Sequence, residues 1–139
     1  MLARLIYASK AIGLRAADLA DILEVSRIDN PKAGITGALG LLDGVYLQYL
    51  EGDDAALEAL YARIQIDLRH RDPVVLDRTF IAVRAFPEWS MALLHWDERI
   101  RAVARRHGLD PSQSPYDIAP AAVAPFFRAL AATPNWVAL

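Results

Sequence analysis

The stretch that most constrains the fold is residues 35–52, ITGALGLLDGVYLQYLEG, in which two apolar runs flank an Asp-Gly pair at 43–44. Such a pair between two apolar runs is a strong signal for a β-hairpin with a two-residue turn. Successive side chains of a strand point to opposite faces of a sheet, so Gln48 faces one side while Leu47 and Tyr49 face the other. Both sides are largely apolar, and we therefore expect both faces of this sheet to be covered.

The segments on either side of this hairpin predict a ferredoxin-like α+β fold. Their order along the chain is strand, helix, hairpin, helix, strand and strand, which is the βαββαβ plan with one extra strand. The predicted elements are a strand at 2–9, a helix at 14–28 ended by Pro31 and Gly34, the hairpin, an amphipathic helix at 53–70 and strands at 75–86 and 90–96. We expect a five-stranded mixed sheet with these two helices on one face and C-terminal helices on the other.

The C-terminal part of the chain predicts two further helices. ERIRAVARRHG (98–108) ends at a glycine, and PAAVAPFFRALAATP (120–134) has Pro120 near its first turn, where proline is tolerated. With 55% hydrophobic residues in 139, the chain carries enough apolar surface to cover both faces of the sheet. We therefore interpret 1–96 as a core and 97–139 as a helical cap on the opposite sheet face, both within one domain.

The composition argues against several classes of function. A net charge of −2 indicates neither a nucleic-acid-binding protein nor one that binds anionic membranes. The absence of cysteine excludes disulfides and thiolate chemistry and suits a reducing compartment. No apolar run approaches the ~20 residues that span a bilayer, and the N-terminal MLARLIYASK lacks a signal-peptide cleavage pattern. We expect a cytoplasmic protein.

Two polar side chains within predicted strands, those of Gln48 and Tyr7, need a physical explanation. Gln48 lies in the middle of a central strand, and Tyr7 lies in the first strand. A buried amide or hydroxyl must find hydrogen-bond partners, because leaving one unpaired costs about 1–3 kcal/mol. Each residue has an ordinary structural interpretation, in which Gln48 bonds to a neighbouring side chain or water and the Tyr7 hydroxyl reaches the surface.

A second set of polar residues borders the apolar stripes of the two predicted helices. Each has an ordinary interpretation. On the second helix, Arg63 and Asp67 could form a surface i, i+4 ion pair, and Arg69 and His70 are cations suited to a helix C-terminus. On the first helix, Ser26 interrupts the apolar stripe, and Asn30 could be a turn residue before the proline. Together they place polar groups where the inner edges of the two helices meet. This arrangement predicts a groove for a flat, largely apolar ligand with polar edges.

Five segments of the chain resemble, in order and spacing, the BLUF domains, which are blue-light sensors that bind FAD. These segments are LIYAS (5–9), ILEVSRIDNPKAGITGAL (22–39), LQYLEG (47–52), RIQIDLRH (63–70) and FPEWSM (86–91). The resemblance covers roughly residues 2–96 and agrees with the ferredoxin-like plan. It departs at Asp29, where the family often has Asn; the matched flavin ligand is Asn30, so we expect binding to survive.

The resemblance implies a role for each matched residue. Tyr7 is the electron and proton donor to the excited flavin, and Gln48 is the amide between Tyr7 and the flavin edge. Trp89 and Met91, which core packing alone could also explain, match positions that exchange places near Gln48 or respond to its rearrangement. The implied flavin-binding residues are Ile22, Ser26, Asn30, Gln48, Arg63, Asp67, Arg69 and His70. FMN or riboflavin could substitute for FAD, since the groove chiefly grips the ring.

The mechanism that the resemblance implies is a switch, with no substrate turned over. Tyr7 is oxidised and then re-reduced, Gln48 is left rotated or in another tautomer, and its new hydrogen bond to the flavin shifts absorption to the red. We expect the signal to pass through residues 97–139 to a separate effector protein, and we expect a homo-oligomer, namely a dimer. Three other functions stay open at this point: a light-insensitive ligand-binding module, an acylphosphatase-type hydrolase and an oligomerisation domain.

Overall fold

The protein is built around a mixed sheet with helices on both faces, and the computed structural model describes residues 1–11, 16–42, 44–68, 70–88, 91–94, 98–108, 115–133 and 136–138. The strands are β1 (Leu2–Ala11), β2 (Thr36–Leu42), β3 (Val45–Asp53), β4 (His70–Phe80), β5 (Ala92–Leu94) and β6 (Trp136–Ala138). The helices are α1 (Ala16–Ala33), α2 (Asp54–Ile66), α3 (Glu98–Arg106) and α4 (Pro120–Ala131), with a 3-10 turn at Pro115–Asp117.

The strand order β4-β1-β3-β2-β5-β6 confirms the predicted ferredoxin-like α+β class. All neighbouring strands are antiparallel except β2 and β5, which run parallel and make the sheet mixed. Of the last predicted strand, 90–96, the structure describes residues 91–94, and β5 occupies Ala92–Leu94 among them. β6, from the C-terminal segment, adds an edge strand to the five that the sequence predicts.

The hairpin of β2 and β3 forms where the Asp-Gly pair predicts it. Leu42 pairs with Val45 at its closed end, which leaves positions 43 and 44 for the turn. Gly44 has a φ of +75°, a left-handed conformation that glycine adopts without steric cost. Asp43 lies outside the described residues. The turn fixes the register of β3, and that register fixes which face Gln48 occupies.

Each face of the sheet carries its own apolar cluster. The first cluster joins β1, β2 and β3 to α1 and α2 and includes Leu50 and Leu57. The second cluster joins the opposite face to α3 and α4 and includes Leu47, Ile100 and Phe127. Both faces are covered, as the alternation along β3 predicts. Among the described residues, no helix combines the length and apolar character needed to cross a bilayer.

Both helices on the first face end elsewhere than predicted. α1 continues through Pro31, which was expected to end it, and ends at Ala33. The helix closes where the Gly34 N–H donates to the carbonyl of Pro31 at 3.2 Å. α2 was expected to reach residue 70 but ends at Ile66, where Asp67 takes an extended conformation and starts the connection to β4.

The strand predicted at 75–86 lies earlier in the chain, as β4, and residues 81–88 instead form bends and turns. In this segment Arg84 donates to the carbonyl of Gly34 at 2.6 Å, and the next two backbone N–H groups donate to the carboxylate of Glu51. Side chains distant in sequence thus satisfy groups that a strand would use for its ladder. No local pattern reveals such partners, which is why the prediction was wrong here.

Candidate functional site

A cleft of about 220 Å³ opens between α1 and α2, on the face of the sheet that carries Gln48. Residues spaced three and four apart on a helix share one side, and this spacing brings the lining residues of each helix together. The lining consists of Ile22, Val25 and Ser26 from α1, Leu60, Arg63 and Ile64 from α2, Asp67 just after it, and Tyr7, Leu39, Tyr46, Gln48 and His70 from the strands.

Tyr7 and Gln48 are joined by a hydrogen bond at the base of this cleft. They lie directly opposite each other in the antiparallel register of β1 and β3, and both are buried. The Tyr7 hydroxyl donates to Oε1 of Gln48, and Nε2 of Gln48 donates to Sδ of Met91 at 3.4 Å. The amide is therefore oriented, with its carbonyl toward the tyrosine and its NH₂ group toward the methionine.

The protonation of Tyr7 allows its hydroxyl to donate this hydrogen bond. Burial raises the pKa of Tyr7 far above the ordinary value for tyrosine, and the neighbouring Tyr46, Tyr61 and Asp67 add smaller effects in the same direction. The phenol is therefore neutral at physiological pH and keeps its proton. A neutral phenol that donates requires an acceptor, and the carbonyl oxygen of Gln48 is the acceptor that the amide offers.

His70 lines the cleft from the start of β4. Its Nδ1 lies 2.7 Å from Oγ of the buried Ser9. Its ring centroid lies 4.8 Å from that of Tyr46 and 6.3 Å from that of Tyr7. One hydrogen bond and two ring contacts therefore fix the orientation of the imidazole at the edge of the cleft.

The structure brings most of the predicted site residues together. Those that line the cleft are Tyr7, Ile22, Ser26, Gln48, Arg63, Asp67 and His70. Met91 contacts the Gln48 amide. Asn30 is buried near the end of α1 and does not contribute to the described lining. Arg69 and Trp89 lie outside the described residues.

Ser9 and Tyr46 are site residues that the sequence prediction missed. Each lies two positions from a predicted residue of the same strand, Ser9 from Tyr7 and Tyr46 from Gln48, and therefore shares its face of the sheet. This alternation is the signal that finds them. The contact between Ser9 and His70 spans 61 residues of sequence, and only the fold reveals it.

The groups around the cleft fit a flavin ring. Ile22, Leu39 and Ile64 offer apolar surface to a flat ring system, and such surface is typical of sites for small ligands. The polar edges of the ring need both donors and acceptors. Arg63 can only donate, a carboxylate can only accept, and the Gln48 amide can do both. The fold and the cleft thus define a small α+β domain with a cleft suited to a flat heterocyclic ligand.

Comparison with known families identifies the family of the chain. The model of one family, described as BLUF, sensors of blue-light using FAD, matches residues 2–92. The chain belongs to the BLUF family of flavin-dependent blue-light sensors.

Curated relatives match a similar length of the chain. Photoactivated adenylate cyclase subunit beta of Euglena longa is 36% identical over 92 residues, which make up 65% of this chain and 11% of that protein. The corresponding subunit of Euglena gracilis is 32% identical over 99 residues, 69% of this chain and 12% of that protein. This chain therefore spans a small part of the length of these relatives.

Solved structures extend the similarity to the C-terminal helices. The structure of BlsA in its photo-activated state matches with a TM-score of 0.89 and 29% identity, over 97% of this chain and 98% of that one. The dark-state structure of the BLUF protein BlrB matches with a TM-score of 0.76 and 31% identity, over 95% and 97% of the two chains. The helices on the second face of the sheet thus belong to a shared architecture.

Proposed function

We propose that this chain senses blue light through bound FAD and signals by rearranging hydrogen bonds around Gln48, without turning over a substrate. The observation that carries the proposal is the series of contacts from Tyr7 through Gln48 to Met91, at the base of a cleft whose groups fit a flavin ring. An ordered donor, amide and thioether at such a cleft are suited to electron and proton transfer followed by a conformational response.

FAD, when bound and excited by blue light, would supply a strong oxidant. The Tyr7 phenol gives up one electron, and its proton, which becomes acidic on oxidation, moves along the existing hydrogen bond to the Gln48 amide. When electron and proton return to Tyr7, the amide is left rotated or in another tautomer. Either change alters the group that faces Sδ of Met91, and a new hydrogen bond from Gln48 to a bound flavin would shift its absorption to the red.

The residues that hold the flavin in this proposal are Ile22, Ser26, Asn30, Gln48, Arg63, Asp67, Arg69 and His70. The members of this set that line the cleft would surround the flavin ring rather than the adenine half of FAD. This supports the inference that FMN or riboflavin can replace FAD. His70 is fixed by Ser9 and is therefore ready to bind without reorganisation.

The decisive experiment is the absorption spectrum of the purified protein with FAD before and after a blue flash. We expect a red shift of the flavin band that reverses in darkness, and we expect its loss in Gln48→Leu. The matched control is Gln65→Leu, which makes the same change at an exposed position of α2 and should retain the shift. A wild-type protein that binds FAD without any shift would contradict the proposal and leave a light-insensitive binding module.

We further propose that the signal leaves through residues 97–139 to a separate effector, from a cytoplasmic homodimer. The packing of Phe127 of α4 against Tyr49, the neighbour of Gln48 in β3, supports this route, with ring centroids 5.4 Å apart. Hydrogen exchange in light and darkness tests it. Light should change exchange in α4, and unchanged exchange in both α3 and α4 would contradict the route. Light scattering in darkness would measure the number of copies.

A further inference from the structure

Glu51 is a fully buried carboxylic acid on the face of the sheet away from the cleft. It lies in β3 three residues after Gln48 and shares the face of Leu47 and Tyr49. A buried carboxylate persists only where hydrogen bonds replace the water it has lost. Its partners therefore show what this residue does.

The Glu51 side chain accepts two backbone hydrogen bonds from one short segment. Oε1 accepts from the N–H of Ala85 at 2.5 Å, and Oε2 accepts from the N–H of Phe86 at 2.9 Å. Hydrogen bonds to a carboxylate are roughly twice as strong as those between neutral groups. One side chain thus satisfies two successive N–H groups in the bends between β4 and β5, where no strand pairs with them.

Arg84, in the same segment, also binds the segment to β2 and β3. Its guanidinium donates to the carbonyl of Gly34 at 2.6 Å, to Oγ1 of Thr36 at 2.9 Å and to the backbone carbonyl of Glu51 at 3.1 Å. Residues 84–86 are therefore held to the ends of β2 and β3 by two oppositely charged side chains. Neither contact belongs to the cleft.

Phe86 connects this segment to the C-terminal helices. Its ring is edge-on to Tyr49, with centroids 4.9 Å apart, and 6.5 Å from Phe127 of α4. Burial, with a further contribution from the charge of Glu51, raises the pKa of Tyr49 to about 12, so that this phenol stays neutral within the cluster. From Phe86 the chain leads to Met91, which contacts the Gln48 amide.

We propose that Glu51 is a positioning residue, whose carboxylate fixes residues 85–86 to β3 and thereby determines how Met91 moves when Gln48 rearranges. Gln48 and Glu51 lie on one strand, so the carboxylate attaches residues 85–86 to the strand that carries Gln48. With residues 85–86 attached, a displacement of Met91 is transmitted to Phe86 and α4. Without the attachment, residues 81–88 would rearrange and the displacement would not reach α4. The light-dependent part of this inference rests on the proposed function.

Glu51→Gln tests the inference with FAD-loaded full-length protein. Glutamine has one acceptor oxygen, so its NH₂ group faces one of the two backbone N–H donors and that bond is lost. We expect the amplitude of the red shift to stay as in the wild type, because Tyr7 and Gln48 are intact. We expect dark recovery to become about tenfold faster, as the loss of one charged hydrogen bond implies. In darkness, the amides of Ala85 and Phe86 should exchange faster.

Glu88→Gln is the matched control, because it makes the same chemical change at an exposed position of the same segment. Its recovery rate and its amide exchange should equal those of the wild type. Wild-type recovery in Glu51→Gln would overturn the positioning role. If Glu51→Gln does not fold, Glu51→Asp keeps the charge on a shorter side chain and should speed recovery by a smaller factor, and wild-type recovery there would overturn the inference equally.

The two proposals fail in different ways. A wild-type protein without a red shift would refute the light-sensing proposal, whereas the attachment of residues 85–86 would still be decided by exchange in darkness. Wild-type exchange of both amides in Glu51→Gln would refute that attachment whatever the light response.

Discussion

At the scale of the residue, the switch depends on the asymmetry of the Gln48 amide. Its carbonyl accepts from Tyr7 and its NH₂ group donates to Met91, two partners that cannot exchange roles. Because burial raises the pKa of Tyr7, the phenol gives up its proton only after it has lost an electron. A rotated amide would offer its oxygen to Sδ of Met91, a poorer partner for it. Rearrangement of the amide therefore changes the contact of Gln48 with Met91.

Ser9→Ala should weaken flavin binding, because the hydrogen bond that orients the His70 ring is lost. A neutral hydrogen bond contributes about 0.5–1.5 kcal/mol, so the dissociation constant for FAD should rise by a factor of about 2–10. Titration of the apoprotein with FAD, followed by flavin fluorescence, measures this. Thr79→Val removes a hydroxyl from the exposed part of β4 and should leave binding unchanged. Equal affinity in Ser9→Ala would show that His70 is oriented without Ser9.

Individual residues differ in how far the sequence predicts them. Tyr7 and Gln48 could be singled out because a polar side chain inside an apolar strand needs a partner, and they proved to be each other's partner. The contact of Ser9 with His70, across 61 residues, and that of Glu51 with Ala85, across 34, follow no local rule. Such pairs become visible only when the strand order is known.

At the scale of the element, the β2–β3 hairpin holds Gln48 in place, and Gly37 permits its close pairing. A Cβ added at Gly37 would lie 2.0 Å from the carbonyl oxygen of Tyr49 on the neighbouring strand. Because backbone cannot yield as a flexible side chain does, Gly37→Ala would force the strands apart. We expect a loss of about 1–3 kcal/mol in the free energy of unfolding, as for other overpacked sites, measured by urea denaturation.

Gly40→Ala is the control for this prediction, since the glycine lies in the same strand. Its added Cβ would approach nothing closer than 3.8 Å, which is ordinary van der Waals contact. We expect a much smaller effect on stability than at Gly37. Similar losses at both positions would mean that strand propensity, rather than the contact with Tyr49, decides the outcome.

Elements with strong local signals were predicted, and those held by distant side chains were not. The hairpin follows from its Asp-Gly turn and α2 from its apolar periodicity, with Asp53 as the N-cap that accepts from the N–H of Ala55. The segment 81–88 contains residues typical of strands, yet Arg84 and Glu51 hold it in bends. Local propensity is overridden where tertiary hydrogen bonds satisfy the backbone in another way.

At the scale of the whole molecule, the two apolar faces make the C-terminal helices part of the same core as the strands. Phe127 is 1% exposed and contacts Tyr49 and Phe86. Phe127→Ala should lower the free energy of unfolding by about 3–5 kcal/mol, the range for deletion of a buried aromatic ring. Phe80→Ala is the matched control, because Phe80 is 58% exposed in β4. A small effect at Phe127 would mean that the cap contributes little to folding.

Flavin binding should stabilise the folded protein. The stabilisation by different parts of FAD shows which of those parts the protein contacts. A ligand that binds only the folded state adds about 2.7 kcal/mol at a hundred times its dissociation constant. Because the described lining residues surround a single cleft between α1 and α2, we expect them to contact mainly the ring, and riboflavin should bind within about tenfold of FAD. Thermal unfolding in darkness with FAD, FMN, riboflavin or ADP compares the two halves of the cofactor, and ADP should have no effect. If FAD stabilised the protein far more than riboflavin at equal concentration, the adenine half would be held too, which would contradict this prediction.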